Sequence, residues 1–438
     1  MSWTEFAELV KEHNFYHQTG QIVKVSNLSI EAEGVRGNVG DLCIIKARPY
    51  NTSFFAQIVS QSQESTLLMP FGDTEGIGVD SEIECLHKPL TVEVGDMLLG
   101  KVIDPLGNSM SSDGHLNGGE KIFVKGKKHN PLKREAIVDY LMTGVKAIDS
   151  LLAIGEGQRI GIFAGSGVGK STLLGMIAKK SYADINVIAL IGERGREVND
   201  FINKTLDQDS LERSVIVVAT ADQPTLVREL AAHTATSIAE HFSNKGKNVM
   251  LIMDSVTRFA MARREIGLSI GEPATARGYT PSTFTELPKL IERAGKFSNK
   301  GSITGIYTVL VEGDDFNEPV SDHMRAILDG HIMLSRELAN QGHYPAIDVL
   351  KSISRLASDI WTESEKSVVK SALKLLSLIE KYKDIVEIGA YKEGSNPKLD
   401  QALLLYPKVQ AFLSQSQSDE EDYTRDSLFE MLKEAIGS

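Results

Sequence analysis

The residues best suited to chemistry form one short glycine-rich stretch that ends in lysine, serine and threonine. An apolar run at residues 160–164 predicts a buried strand before it, and residues 173–178 predict a helix after it. In that context glycines let backbone N–H groups face phosphate oxygens, Lys170 reaches the β- and γ-phosphates, and the Ser171 hydroxyl holds Mg²⁺. A glycine-rich turn without a ligand would not explain lysine and serine here. The residues predicted to bind phosphate are Gly165, Ser166, Gly167, Val168, Gly169, Lys170, Ser171 and Thr172.

A carboxylate follows a second apolar run, where Asp254 comes directly after residues 249–253. In phosphate-binding folds a carboxylate at the carboxyl end of a strand beside the phosphate loop holds Mg²⁺, usually through water. An apolar run followed by aspartate is common by itself. Together with the phosphate loop, it predicts that Ser171 and Asp254 hold the metal.

Glu193 stands just past a third apolar run, residues 187–191, among several charged neighbours. ATP hydrolysis needs a water molecule positioned and polarised for in-line attack on the γ-phosphorus. A glutamate just past a strand end is placed for that role. A surface loop with ion pairs is the alternative, and these residues alone leave both interpretations open.

The hydrophobic patterns predict a scaffold in several parts for these side chains. Residues 1–18 have the spacing of an amphipathic helix, which either packs on its own domain or docks a partner protein. Short period-two strands separated by glycines predict a β-barrel over residues 19–95. Residues 94–119 are predicted to be a connector rich in glycine, aspartate and serine. Strand and helix patterns that alternate from about residue 141 to 354 predict an α/β domain with a mostly parallel sheet, assigned to residues 96–355. Apolar residues at helical spacing predict a helical domain over residues 356–438.

Size and composition are those of an ordinary globular protein. The chain has 438 residues, of which 42% are apolar and 24% charged, which allows two or three domains. Because it lacks a long apolar run and a signal-peptide layout, a cytoplasmic location is expected. The net charge of -12 argues against wide electrostatic binding to nucleic acid. Cys43 and Cys85 are expected to be buried free thiols.

Several further motifs, taken with the phosphate loop, resemble the flagellar and type III secretion export ATPases. These enzymes are relatives of the catalytic subunit of the rotary F1 ATPase. The resemblance covers most of the chain, and residues 301–308 look more like the flagellar branch than the virulence branch. The stretches that carry it are residues 165–171, 192–197, 254–259, 278–282, 311–315 and 343–348.

The resemblance implies a fold and a set of residue roles. The fold would be multi-domain α/β: an N-terminal β-barrel, a central RecA-like P-loop NTPase domain and a C-terminal helical domain. ATP and Mg²⁺ would bind between the subunits of a homohexameric ring. Glu193 would be the catalytic carboxylate and Arg355 a finger inserted into a neighbour's site, worth roughly 10³–10⁵ in rate. Tyr344 would stack on adenine, and Arg194 and Arg258 would support the loop and sense the γ-phosphate.

The same resemblance implies partners. A regulatory stator protein would bind the helix at residues 1–18, and a central stalk protein would enter the ring. The ring would be peripheral to the inner-membrane export gate, receiving chaperones and exported proteins, without nucleic acid. Residues 272–277 and 357–361 depart from the family pattern, and the second departure leaves open which residues of the helical domain complete the adenine pocket.

Two other classes of protein share this kind of core. A non-catalytic, regulatory nucleotide-binding subunit would lack the catalytic carboxylate, whereas Glu193 is present. A nucleic-acid motor of the Rho type would carry basic and aromatic residues on its barrel, and residues 20–95 have no such stripe. A catalytic export ATPase is therefore the favoured interpretation.

Overall fold

A computed structural model describes residues 19–47, 52–111, 116, 118–126, 129–311, 313, 315–419 and 422–437. Its first part is a closed antiparallel barrel. The helix predicted for residues 1–18 lies outside the described residues. The barrel strands are β1 (Thr19–Val25), β2 (Ile30–Glu33), β3 (Asp41–Ala47), β4 (Thr52–Gln61), β5 (Thr66–Pro70) and β6 (Glu82–Pro89). They pair in the order β1-β2-β5-β4-β3-β6, and β1 closes on β6. Alternate residues such as Ile45 and Ile83 fill the interior without solvent exposure.

Small elements link the barrel to the rest of the chain. The strand β7 (Thr91–Val94) pairs with β9 (Glu120–Phe123), and β8 (Lys101–Ile103) lies between them in sequence. β8 joins the edge of the central sheet, whereas the sequence predicted only a connector here. A strand of three residues is too short to show a hydrophobic period. A second short pair follows, β10 (Tyr140–Leu141) with β11 (Ile154–Gly155).

The central sheet has nine strands and positions the predicted chemistry. Its order is β19-β18-β12-β17-β15-β13-β14-β8, with β16 paired to β17. All pairs are parallel except β16 with β17 and β18 with β19, which confirms the mostly parallel sheet. Its further strands are β12 (Arg159–Ala164), β13 (Ile185–Glu193), β14 (Ser214–Thr220), β15 (Val249–Asp254), β16 (Gly295–Lys296), β17 (Ser302–Leu310), β18 (Gly330–Leu334) and β19 (Ile347–Ser354).

Helices cover both faces of this sheet. Ile188 and Leu190 of β13 belong to the core on one face, and Val187 and Ala189 to the core on the other. Because both faces are buried, the strands are apolar almost throughout. The helices up to β19 are α1 (Lys146–Leu151), α2 (Lys170–Lys180), α3 (Gly195–Asp200), α4 (Gln208–Glu212), α5 (Thr225–Asn244), α6 (Val256–Ser269), α7 (Pro281–Ile291), α8 (Pro319–Ile327) and α9 (Arg336–Asn340).

The last part of the chain is helical, as predicted. Its helices are α10 (Ala357–Ile360), α11 (Glu363–Glu387), α12 (Pro397–Leu413) and α13 (Arg425–Ile436). They pack on the α2 face of the sheet, where Val368, Phe412 and Leu432 join the same core as Ile188. α11 begins at Glu363 because Thr362 and Glu365 form a capping box, a polar signal that hydrophobic spacing does not register. Within the described residues, every helix is too short or too polar to cross a bilayer.

Candidate active site

The phosphate loop connects β12 to α2 and presents its amides to solvent. Gly167 and Gly169 have φ of 78° and 88°, the left-handed region that favours glycine. Val168 between them is buried and anchors the loop, while Ser166, Ser171 and the following threonine are exposed. The first N–H groups of α2 have no side-chain cap and lie in this exposed loop, an arrangement that can bind phosphate.

Three charged side chains of the prediction converge beside this loop. β13 and β15 are parallel neighbours that place Leu190 opposite Asp254, so both strands end at the same edge of the sheet. Lys170 Nζ donates to Asp254 Oδ1 at 2.5 Å and to Glu193 Oε1 at 3.4 Å. The Thr308 hydroxyl also donates to Asp254 Oδ1, at 2.7 Å. Sequence reasoning missed Thr308, since a threonine inside an apolar strand carries no signal of its role.

Burial and charge set the protonation of this cluster. Burial raises the pKa of Glu193 to about 7, because the charge of Lys170 offsets only part of the desolvation and Asp254 opposes ionisation further. Burial also disfavours the charged form of Lys170. The two carboxylates outweigh that effect, and the pKa of Lys170 lies above its usual value. At neutral pH the site thus holds an ammonium group beside a glutamate that is close to its own titration point.

The two arginines that the resemblance placed near the site have different surroundings. Arg258 lies in the first turn of α6, and its side chain runs along Gly192, where a Cβ would meet it at 3.1 Å. Among the described residues its buried Nε has no hydrogen-bond partner. Arg194 is exposed, and its closest ion pair is Glu197 at 3.6 Å. Arg258 is therefore packed against the strand end that carries Glu193, whereas Arg194 faces solvent.

A cavity of about 600 Å³ opens next to the phosphate loop. The ring of Tyr344 lies along one wall, 3.3 Å from the position that a Cβ on Gly169 would occupy. Residues 414–417, which follow α12, also line the cavity, and the Gln415 N–H donates to the backbone oxygen of Tyr344 at 2.8 Å. That these residues line the cavity could not be predicted from the sequence, because polar residues after a helix show no distinctive pattern.

Arg336 also contacts the loop, and the sequence did not single it out. It is the first residue of α9, and its Nη1 donates to the backbone oxygen of Ser166 at 3.1 Å. Arg336 reaches the loop because β18, which precedes α9, is the parallel neighbour of β12. This proximity depends on the order of strands in the sheet, which the sequence does not show.

Arg355 does not join this cluster. It follows β19, which runs antiparallel to β18 and pairs Ser354 with Gly330. Arg355 is exposed, its N–H donates to Asp329 O, and its Nη2 donates to Arg325 O. These contacts lie at the amino edge of the parallel strands, and the phosphate loop lies at the carboxyl edge. β12 has six residues, so the two edges are separated by about 17 Å.

Comparison with known proteins agrees with the fold. The model of the ATP synthase alpha/beta family, nucleotide-binding domain, matches residues 144–354, and that of the T3SS EscN ATPase C-terminal domain matches residues 361–434. The flagellum-specific ATP synthase of Bacillus subtilis is 49% identical over 95% of both chains. The type 3 secretion system ATPase of Xanthomonas euvesicatoria is 43% identical over 90% of this chain and 89% of its own.

Solved structures lead to the same family. The assembled ATPase EscN of enteropathogenic E. coli has a TM-score of 0.90 at 42% identity, covering 95% of this chain and all of its own. EscN in complex with its central stalk EscO has a TM-score of 0.87 at 41% identity, with the same coverage. The chain thus belongs to the ATP synthase alpha/beta family, as an ATP-hydrolysing member of its branch of flagellar and type III secretion export ATPases.

Proposed function

We propose that this chain hydrolyses Mg²⁺-bound ATP at the seam between two copies of itself and thereby energises flagellar-type protein export. The observation that carries the proposal is the convergence of Lys170, Glu193 and Asp254 beside the phosphate loop. A non-catalytic subunit would not need a carboxylate held at that point. The virulence branch is the second candidate, and the higher identity to the Bacillus flagellar relative favours the flagellar one.

The donor set beside the loop suits Mg²⁺. The Ser171 hydroxyl and the Asp254 carboxylate are hard oxygen ligands of the kind that Mg²⁺ accepts, usually with several waters retained. Bound there, Mg²⁺ would supply positive charge to the β- and γ-phosphate oxygens. Lys170, which pairs with Asp254, would turn to the phosphates when nucleotide enters.

Each remaining residue has a proposed part. Glu193 accepts a hydrogen bond from the attacking water and orients it toward the γ-phosphorus. Arg258, whose buried Nε lacks a partner among the described residues, supplies a donor to the γ-phosphate, and Arg194 supports the loop from outside. Adenine stacks on Tyr344 in the 600 Å³ cavity, against residues 414–417.

The assembly is proposed from the position of Arg355. It lies at the opposite edge of the sheet from its own phosphate loop, so it can serve only a neighbour's. Repetition of that contact would close a homohexameric ring on the cytoplasmic side of the inner-membrane export gate, with chaperones and exported proteins delivered to it. A central stalk would enter the ring, as the EscN relative binds EscO, and a stator protein would bind residues 1–18.

Replacing Glu193 by glutamine tests the proposed chemistry. We expect turnover to fall by roughly 10²–10⁴-fold, because a neutral amide orients and polarises the attacking water less strongly than a carboxylate, while binding of a fluorescent ATP analogue stays within a few-fold. Asp200→Asn is the matched control, since Asp200 lies nearby on the surface and pairs with Lys204, and it should hydrolyse ATP normally. Full turnover by Glu193→Gln would refute the assignment.

A further inference from the structure

A second cluster of metal-ligand atoms lies in the β-barrel, away from the nucleotide site. One carboxylate oxygen of Asp41, the Cys85 thiol and one ring nitrogen of His87 all lie within 4.8 Å of one another. Cys85 Sγ and His87 Nδ1 are 3.8 Å apart. These residues are outside the nucleotide-binding match at residues 144–354, and the ATPase reaction makes no use of them.

The strand pairing explains why they meet. β3 and β6 are antiparallel neighbours that place Cys43 directly opposite Cys85. The register shifts between Cys43 and Asp41, which pairs with Pro89, and His87 lies in that irregular stretch with a φ of 49°. The bulge, not regular strand alternation, thus leaves His87 Nδ1 3.8 Å from Cys85 Sγ, near the end of the barrel where Asp41 begins β3. Asp41 and Cys43 are buried and His87 is exposed. The cluster therefore lies at a barrel mouth, with one ligand open to solvent.

The spacing of the ligand atoms fits a small divalent cation. Zn–S and Zn–N bonds of about 2.3 and 2.05 Å in tetrahedral geometry separate sulfur from nitrogen by about 3.6 Å. The observed 3.8 Å between Cys85 Sγ and His87 Nδ1 is within a few tenths of that value. A thiolate, an imidazole and a carboxylate together favour zinc over Mg²⁺ or Ca²⁺, which prefer oxygen ligands.

Two neighbouring residues shape the cluster. Asn38 orients the carboxylate, and position 37 has space only for glycine. Asp41 Oδ2 accepts a hydrogen bond from the backbone N–H of Asn38 at 2.8 Å, which orients the carboxylate as outer partners of metal sites do. A Cβ on Gly37 would come within 2.6 Å of Cys85 Sγ and 3.5 Å of Asp41 Oδ2. The two ligand atoms thus converge on the glycine's open side.

We propose that Asp41, Cys85 and His87 bind a zinc ion, with water in the fourth position, which fastens β3 to β6 at the barrel mouth. Cys43 lies across from Cys85 but is not one of the three converging ligands. It therefore supplies a matched control: Cys43→Ala removes a thiol of the same strand pair without removing a ligand.

The test uses the full-length, tag-free chain, stripped with a chelator and dialysed against Zn²⁺ with Mg²⁺ and a non-hydrolysable ATP analogue present to occupy the nucleotide site. We expect one zinc per chain. Cys85→Ala, His87→Ala and Asp41→Asn should each weaken binding by at least about 10–100-fold, while Cys43→Ala and the exposed barrel variant Asp80→Asn bind as the unaltered chain does. At Co²⁺ concentrations that saturate each variant, the absorption of a cobalt–thiolate bond should be seen in all of them except Cys85→Ala.

Thermal unfolding distinguishes a variant that has lost the metal site from one that does not fold. His87 is exposed, so His87→Ala should fold, and Zn²⁺ should raise the Tm of the unaltered chain but not of this variant. The proposal is overturned by zinc binding below one per chain, by loss of binding in Cys43→Ala equal to that in Cys85→Ala, or by a Cys43–Cys85 disulfide in the purified protein.

Discussion

At the scale of single residues, the site holds two carboxylates close together in partly buried surroundings, where the charge of each disfavours the charge of the other. Glu193 and Asp254 both lie near Lys170, which can neutralise only one negative charge. Burial and the second carboxylate therefore raise the pKa of Glu193 to about 7. A carboxylate with such a pKa accepts a proton more readily than an ordinary surface glutamate near neutral pH.

This raised pKa predicts how catalysis depends on pH. Because kcat/KM reports the free enzyme, it should rise with pH through a midpoint of about 7 as Glu193 ionises. Glu197 also raises the pKa of Glu193, so Glu197→Gln should move the midpoint to lower pH. Steady-state ATPase assays across this range, at constant ionic strength, measure both. A profile that is flat between about pH 6 and 8 in the unaltered enzyme would contradict the role of Glu193.

At the scale of elements, one buried carboxylate joins the last helices to the nucleotide domain. Asp149 of α1 has no solvent exposure. It accepts hydrogen bonds from the Thr143 N–H and hydroxyl, from the Gly144 N–H and from the Tyr423 hydroxyl. Burial still raises the pKa of Asp149 to about 6, because these donors offset only part of the lost hydration.

Asp149→Asn tests that junction. The amide would face the Gly144 donor, so we expect a loss of about 1–3 kcal/mol in unfolding free energy near pH 5. The folded-state pKa of Asp149 exceeds the unfolded one, so the native state binds the extra proton and its stability falls as pH rises through about 6. That loss totals about 3 kcal/mol between about pH 4 and pH 6, of which about 1.4 kcal/mol falls between pH 5 and pH 7.5. It is absent from the variant, whose deficit should shrink by that smaller amount by pH 7.5. Urea midpoints at both pH values measure this, and a constant deficit would contradict it.

Elements also show which predictions the sequence could support. The phosphate loop and Asp254 were predictable, because an apolar strand and the few residues that follow it are enough to identify each of them. Thr308, Arg336 and residues 414–417 were not, because they reach the site only through sheet order and helix packing. The bounds of β2 and β6 could not be predicted for a related reason: their pattern is short or polar, and pairing in the closed barrel stabilises them.

At the scale of the whole molecule, the sheet separates the two halves of the proposed reaction. The phosphate loop lies at the carboxyl edge, and Arg355 lies at the amino edge beside Asp329. Two different surfaces of the same chain must then meet, which makes the interface heterologous. Heterologous contacts close into rings when the rotation between copies permits it, and the assembled EscN relative has the same fold over 95% of this chain.

Mixing two inactive variants tests whether the seam is shared. Glu193→Gln chains keep Arg355, and Arg355→Ala chains keep Glu193, so a mixed ring contains some seams with both groups intact. With equal amounts and random assembly, roughly a quarter of the seams are complete, and activity should recover up to about that fraction of the unaltered ring. ATPase rates measured across mixing ratios should peak near equal amounts.

The double variant Glu193→Gln/Arg355→Ala is the matched control for this experiment. Mixed with either single variant, it cannot create a complete seam, because one of the two groups is then missing from every chain. Those mixtures should stay as inactive as the separate proteins, which excludes rescue by stabilisation of the ring alone. If the two single variants show no recovery at any ratio although light scattering shows mixed assemblies, Arg355 does not act across the seam and the nucleotide site is complete within one chain.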